Sequence, residues 1–78
     1  MNWVKQPSRK SKDAHEEVWE LRNTYVSLFY DVDNSPAWIV EIGRIDKNND
    51  YVRENITEFS GKDIASRFAK SVMKNYYG

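Results

Sequence analysis

From Ile64 onward the apolar residues fall at Ile64, Ala65, Phe68, Ala69, Val72, Met73 and Tyr76, in alternating steps of one and three. This spacing aligns them as a stripe on one face of an α-helix. Arg67, Lys70, Ser71 and Lys74 take the opposite side. Ser60-Gly61-Lys62-Asp63 precedes the stripe with cap-and-acid spacing, so the helix is predicted to begin there.

Upstream the pattern changes period. Thr24 to Val32 is dense in β-formers, with Tyr25 and Phe29 on one face and Val26, Leu28 and Tyr30 on the other. Asp33-Asn34-Ser35-Pro36 supplies turn chemistry. A second strand is predicted over Ala37 to Ile45, with Trp38, Val40 and Ile42 on one face. Asp46 to Asp50 reads as a polar turn, and Tyr51 to Phe59 as a third strand. That strand's alternation is less clean, placing Val52 and Ile56 on one face against Tyr51 and Phe59 on the other. Short turns between consecutive strands imply an antiparallel meander.

The N-terminal segment is ambiguous in period. Asp13 and Glu16 have the spacing of a capping box, and Val18 and Leu21 follow at i, i+3. A short helix from about Ala14 to Leu21 is predicted on that ground, although Val18, Trp19 and Leu21 also fit a strand. Residues 1–12, with Pro7, two serines and four bases, read as a flexible basic arm. The expected fold is α+β. A three-stranded antiparallel meander packs against one C-terminal amphipathic helix, preceded by a short N-terminal helix, in a single domain over residues 13–78.

Composition narrows the chemistry. Seventy-eight residues leave room for one domain, and 40% apolar content suits a compact core rather than a disordered tail. With no cysteine, disulfide scaffolds, thiol nucleophiles and Cys-based zinc sites are excluded. No apolar run reaches the ~20 residues of a membrane span, and no signal-like stretch follows Met1. An intracellular, cytoplasmic protein without membrane contact is the expectation. His15 is the single imidazole, beside Glu16 and Glu17 with no assignable nucleophile, and reads as a solvated surface histidine. Asp46, Asn48 and Asp50 match the first positions of a calcium loop. Tyr51 stands where the loop's glycine belongs and Thr57 where its bidentate glutamate belongs, so a hairpin turn is the better reading. No enzymatic activity, cofactor or metal is expected.

Charge and aromatic content point to binding instead. The 12 bases and 12 acids cancel, but unevenly. Residues 13–58 hold 11 acids and four bases, whereas both ends are basic. Three Trp, five Tyr and three Phe exceed what one helix-covered face needs. Contact surfaces are enriched in such residues, and the surplus calls for cover from the N-terminal segment, a second copy or a partner. The first expectation is a small non-catalytic protein-binding module, an inhibitor or adaptor of the kind mobile genetic elements encode. Tyr30 would be an aromatic anchor, and Asp31, Asp33, Glu54 and Glu58 would be its contact acids. The alternative is nucleic-acid binding through Arg9, Lys10, Lys12, Arg44, Arg67, Lys70 and Lys74, bases able to displace phosphate counterions. A homodimer through edge strands is a third possibility.

A few residues resemble the WGR domain found in poly-ADP-ribose polymerases and some bacterial proteins. The Trp-Gly-Arg triplet and its following isoleucine would fall on Ile42, Gly43, Arg44 and Ile45, and further family positions on Phe59, Ser60, Ala65 and Phe68. The similarity covers roughly residues 24–75. It implies a twisted antiparallel sheet crossed by a helix, contacting DNA or a neighbouring domain, with Arg44 as a contact residue. Ile42 stands where the family has tryptophan, Asp46 replaces the following glycine, and the closing Lys…Gly-Tyr is absent. Gly43 also has a local meaning, since glycine inside a strand marks a bulge or a close backbone approach.

Overall fold

A computed structural model describes residues 3–6, 17–31 and 37–75. The elements are β1 (Val4–Gln6), β2 (Glu17–Leu21), β3 (Thr24–Asp31), β4 (Ala37–Ile45), β5 (Tyr51–Phe59) and α1 (Lys62–Asn75). All five strands form one antiparallel sheet in chain order, β1-β2-β3-β4-β5. The class is α+β as expected, but the three-stranded meander is corrected to five strands. Residues 17–21 of the expected N-terminal helix form β2, while residues 13–16 lie outside the described residues. β2 is a strand because its side chains find partners across β3. Val18 sits opposite Ser27 and Trp19 opposite Val26, pairings that a helix would forgo. β1 comes from the segment read as an arm, and Lys5 pairs with Trp19 across it.

The helix-side face carries the main core. Val26, Leu28 and Val40 are fully buried against Ala65 and Ala69, with Trp19, Trp38, Ile42, Phe59, Phe68, Val72 and Met73 around them. Ala65 and Ala69 have no bulk beyond Cβ, which lets the helix lie close to the sheet. Ile64, at the margin of the predicted stripe, is 53% exposed. Trp3 joins this core, and its indole Nε1–H donates to the carbonyl of Met73 at 2.9 Å.

β4 and β5 are joined by the polar turn the sequence predicts. The Asp46 carboxylate accepts the backbone N–H groups of Asn48 and Asp50, each at 2.9 Å, and Asn49 adopts φ 66°. The carboxylate is thereby engaged as a turn cap rather than presented as a calcium ligand. β2 and β3 meet at Arg22-Asn23, where Arg22 has φ 57°. The expected turn over residues 33–36 lies outside the described residues.

The ladder between β4 and β5 shifts register between Ile42 and Gly43, pairing Ile42 with Asn55 and Gly43 with Arg53. Glu54 is the extra residue of a β-bulge. This corrects the predicted faces of β5. Val52 shares the helix-side face with Phe59, and Ile56 lies with Tyr51 on the second face, because one inserted residue inverts the alternation beyond it.

Candidate functional site

No described helix lies on the second face of the sheet, yet Val18, Tyr25, Ser27 and Glu41 are all at most 3% exposed. A polar cluster occupies its centre. The Tyr25 hydroxyl donates to Glu41 Oε2 at 2.5 Å, and Arg53 Nη1 lies 3.9 Å from Glu41 Oε1. Tyr51 stacks on the Tyr25 ring at 4.1 Å and 12°, and its hydroxyl donates to the Glu20 carboxylate. Burial, and next the hydrogen bond to Glu41, push the Tyr25 pKa far above the ordinary phenol value of 10.0, so Tyr25 stays a donor. Gly43 is what lets this ring lie where it does. A Cβ built there would stand 2.8 Å from Tyr25 Cε1 and 2.2 Å from the Val52 carbonyl oxygen. The glycine thus makes both features its type predicted, a bulge and a close approach. Glu41 is enclosed by its own partners, so the cluster acts as a buried brace for the sheet.

The sheet has two unlike edges. β1 is three residues long and carries Lys5, which bonds Glu17 at 3.0 Å. β5 is nine residues long and contains neither lysine nor proline. Ile56 on it is 46% exposed, and an open groove of about 240 Å³ runs along Arg53, Glu54, Asn55 and Ile56. The backbone direction of this edge follows from two hydrogen bonds. The Ile45 N–H donates to the Asn23 carbonyl at 2.7 Å, whereas the Asp46 N–H donates to the Asp50 carbonyl at 3.0 Å. Alternate residues of β4 therefore turn to β3 and to β5. Gly43, Glu41 and Ile39 turn to β3, so their partners Arg53, Ile56 and Glu58 direct their backbone N–H and C=O groups outward.

The sequence-predicted contact residues do not form one cluster. Asp31 ends β3 and lies on the second face, toward the same end as Glu58. Glu54 sits at the bulge, 3.4 Å from Arg44 Nε, so an acid of one predicted set pairs with a base of the other. Tyr30 is on the helix-side face, tilted against Trp38 at 5.1 Å, and Lys62 Nζ lies 5.5 Å from the Trp38 ring centre. Asp33, Arg9, Lys10, Lys12 and His15 lie outside the described residues. Arg67, Lys70 and Lys74 are exposed on α1 and form no ion pair among the described residues. The expected exposed aromatic anchor is not found there. Every described aromatic is buried or half-buried, and the exposed large apolar side chains are Val4, Ile56 and Ile64.

Sequence reasoning missed Glu20, Glu41, Tyr51 and Arg53 as a connected group. Glu41 carried a signal, being an acid between Val40 and Ile42 in a strand flanked on both sides. Among the described residues no group of three or more His, Asp or Glu side chains is placed to hold a metal ion. No described helix is long and apolar enough to cross a membrane. No protein-family model, curated protein or solved structure matches the chain.

Proposed function

We propose that this chain is a small non-catalytic protein-binding module, an inhibitor or adaptor that occupies a partner's surface along the outer edge of β5. The supporting observation is the edge itself. Nine residues of strand end the sheet with outward backbone groups at Arg53, Ile56 and Glu58 and a half-exposed isoleucine between two opposite charges. An extended segment added to such an edge gains main-chain hydrogen bonds, while alternate side chains select it. Of the predicted acids, Glu58 lies on this edge free of any ion pair among the described residues, and Glu54 stands beside it at the bulge.

A second reading has its own observation, the stripe Arg67, Lys70 and Lys74 on the exposed side of α1, which forms no ion pair among the described residues. It favours a phosphate backbone, as the WGR resemblance implies, though Arg44 is already engaged by Glu54. One experiment separates the two. A photo-reactive side chain placed at Ile56 should cross-link to protein in a cell extract, and the same group at Lys70 should not. Binding to DNA or RNA that weakens steeply with salt, and vanishes when Arg67, Lys70 and Lys74 are replaced by glutamate, would reverse the order of the readings.

A further inference from the structure

We propose that the strand received by β5 is β5 of a second copy of this chain, antiparallel about a two-fold axis at Ile56, so that two sheets join into one. The inference rests on the reading of this edge as a strand acceptor and gives the edge to a second copy, which any other protein would have to displace. The contrast between the two edges is the first argument. Sheets guard a free edge with short strands, lysine and proline, and β1 is short and carries Lys5. β5 is nine residues long with neither lysine nor proline, and the guards it does carry, the bulge at Glu54 and the charges of Arg53 and Glu58, are ones a second copy can match.

The second argument is that the edge is complementary to itself. Antiparallel strands exchange hydrogen bonds between residues whose backbone groups face each other. On β5 those are Arg53, Ile56 and Glu58. With the axis at Ile56, this residue meets the partner's Ile56 and its exposed methyls lose water on both sides. Two residues on, Glu58 meets the partner's Arg53, and by symmetry Arg53 meets the partner's Glu58. On the helix-side face Asn55 comes opposite the partner's Thr57, a pair able to hydrogen-bond.

The bulge makes this register possible. Arg53 and Ile56 are three residues apart, while Ile56 and Glu58 are two apart. Glu54, as the extra residue, brings Arg53 back to the same face and into step with the partner's Glu58. The smallest slip that keeps the faces is two residues. One direction sets Ile56 against the partner's Glu58 and the other against the partner's Arg53. Either slip spoils the apolar centre and both charge pairs, so the register is unique.

Sedimentation velocity on the full chain, at tens to hundreds of micromolar, should show a species of twice the 9.3 kDa chain mass. Glu58→Arg sets two arginines opposite each other and Ile56→Lys places two cations at the axis. Each should weaken association at least ~10-fold while circular dichroism stays native, since like charges directly opposite destabilise a strand pair. The chain has no cysteine, so Ile56→Cys offers a geometric readout. Facing residues of a hydrogen-bonded pair have Cα atoms about 5.5 Å apart, within disulfide range. Mild oxidation should give a covalent dimer from Ile56→Cys and not from the exposed Ile64→Cys. A monomer throughout the concentration range would overturn the inference, as would a dimer untouched by both charge variants. If a monomeric chain still cross-links another protein from position 56, the protein-binding reading stands and only its partner changes. If it cross-links nothing there, both fall.

Discussion

Tyr25 and Glu41 show how one residue's environment sets another's chemistry. A carboxylate 3% exposed in a sheet needs donors, and the Tyr25 hydroxyl is one of them. Tyr25→Phe keeps the ring and its stack on Tyr51 but removes that donor. The expected loss is about 2 kcal/mol, the cost of a hydrogen bond to a buried charged group, read from urea unfolding at pH 7. The same pair fixes a pH dependence. Tyr25 ionises near the ordinary value of 10.0 when unfolded and well above it when folded. Its contribution is therefore complete below pH ~10 and is lost as the solution becomes more alkaline, because the unfolded chain then releases a proton that the folded chain retains. The slope is about 1.4 kcal/mol per pH unit in that window. The gap between wild type and Tyr25→Phe should narrow above pH ~10. A gap that stayed constant would mean that the hydroxyl ionises as easily in the fold as outside it.

At the scale of elements, β4 shows what makes the sheet one body. Gly43 lies under the Tyr25 ring and against the β5 backbone at the bulge, so three strands meet at a position with no side chain. Gly43→Ala would drive a methyl into the Val52 carbonyl, a backbone atom that cannot rotate away. The expected cost is about 3 kcal/mol or more, seen as a drop in Tm of some ten degrees or more in a thermal melt. Retention of the wild-type Tm would show that the two strands part freely at the bulge. Much of this level was legible in sequence. The bounds of β4 and β5 follow from alternation and the polar turn between them, and α1 from its stripe, whose inner line is Ala65 and Ala69. β2 was misread because the capping spacing of Asp13 and Glu16 is local information, whereas its strand state depends on what β3 offers across the ladder. Three residues are too few to display a period, which hid β1. The bulge was signalled by Gly43 but its partner Glu54 was not, and so Ile56 was assigned to the wrong face. The candidate edge was half-legible for the same reason. Glu54 and Glu58 were singled out as acids, while the isoleucine and arginine between and beside them became significant only once β5 was seen to end the sheet.

At the scale of the molecule, charge is sorted by layer among the described residues. Most acids lie in the sheet-forming middle of the sequence, and Lys62, Arg67, Lys70 and Lys74 stand on the helix. Zero net charge thus conceals a polarised body, which is why composition alone could not decide between a protein and a nucleic-acid partner. The order of strands in space equals their order in the chain, so every ladder forms between sequence neighbours. The Trp3–Met73 hydrogen bond reaches much further, joining positions 70 residues apart. Contacts of low sequence separation form early in folding, and those that must close a long loop carry a larger entropic cost. The indole clasp is therefore expected to form after the transition state. Trp3→Phe, which drops the N–H and keeps an aromatic ring, should leave the refolding rate within about twofold and speed unfolding about fivefold, for a loss near 1 kcal/mol. Stopped-flow chevrons would test this, and a refolding rate that fell as much as the unfolding rate rose would place the clasp in the nucleus. A joint made last is also the first to open. In native-state hydrogen exchange, the amides of Val4–Gln6 and those of the final helical turn should exchange through one shared opening, at a lower free energy than the β3–β4 ladder.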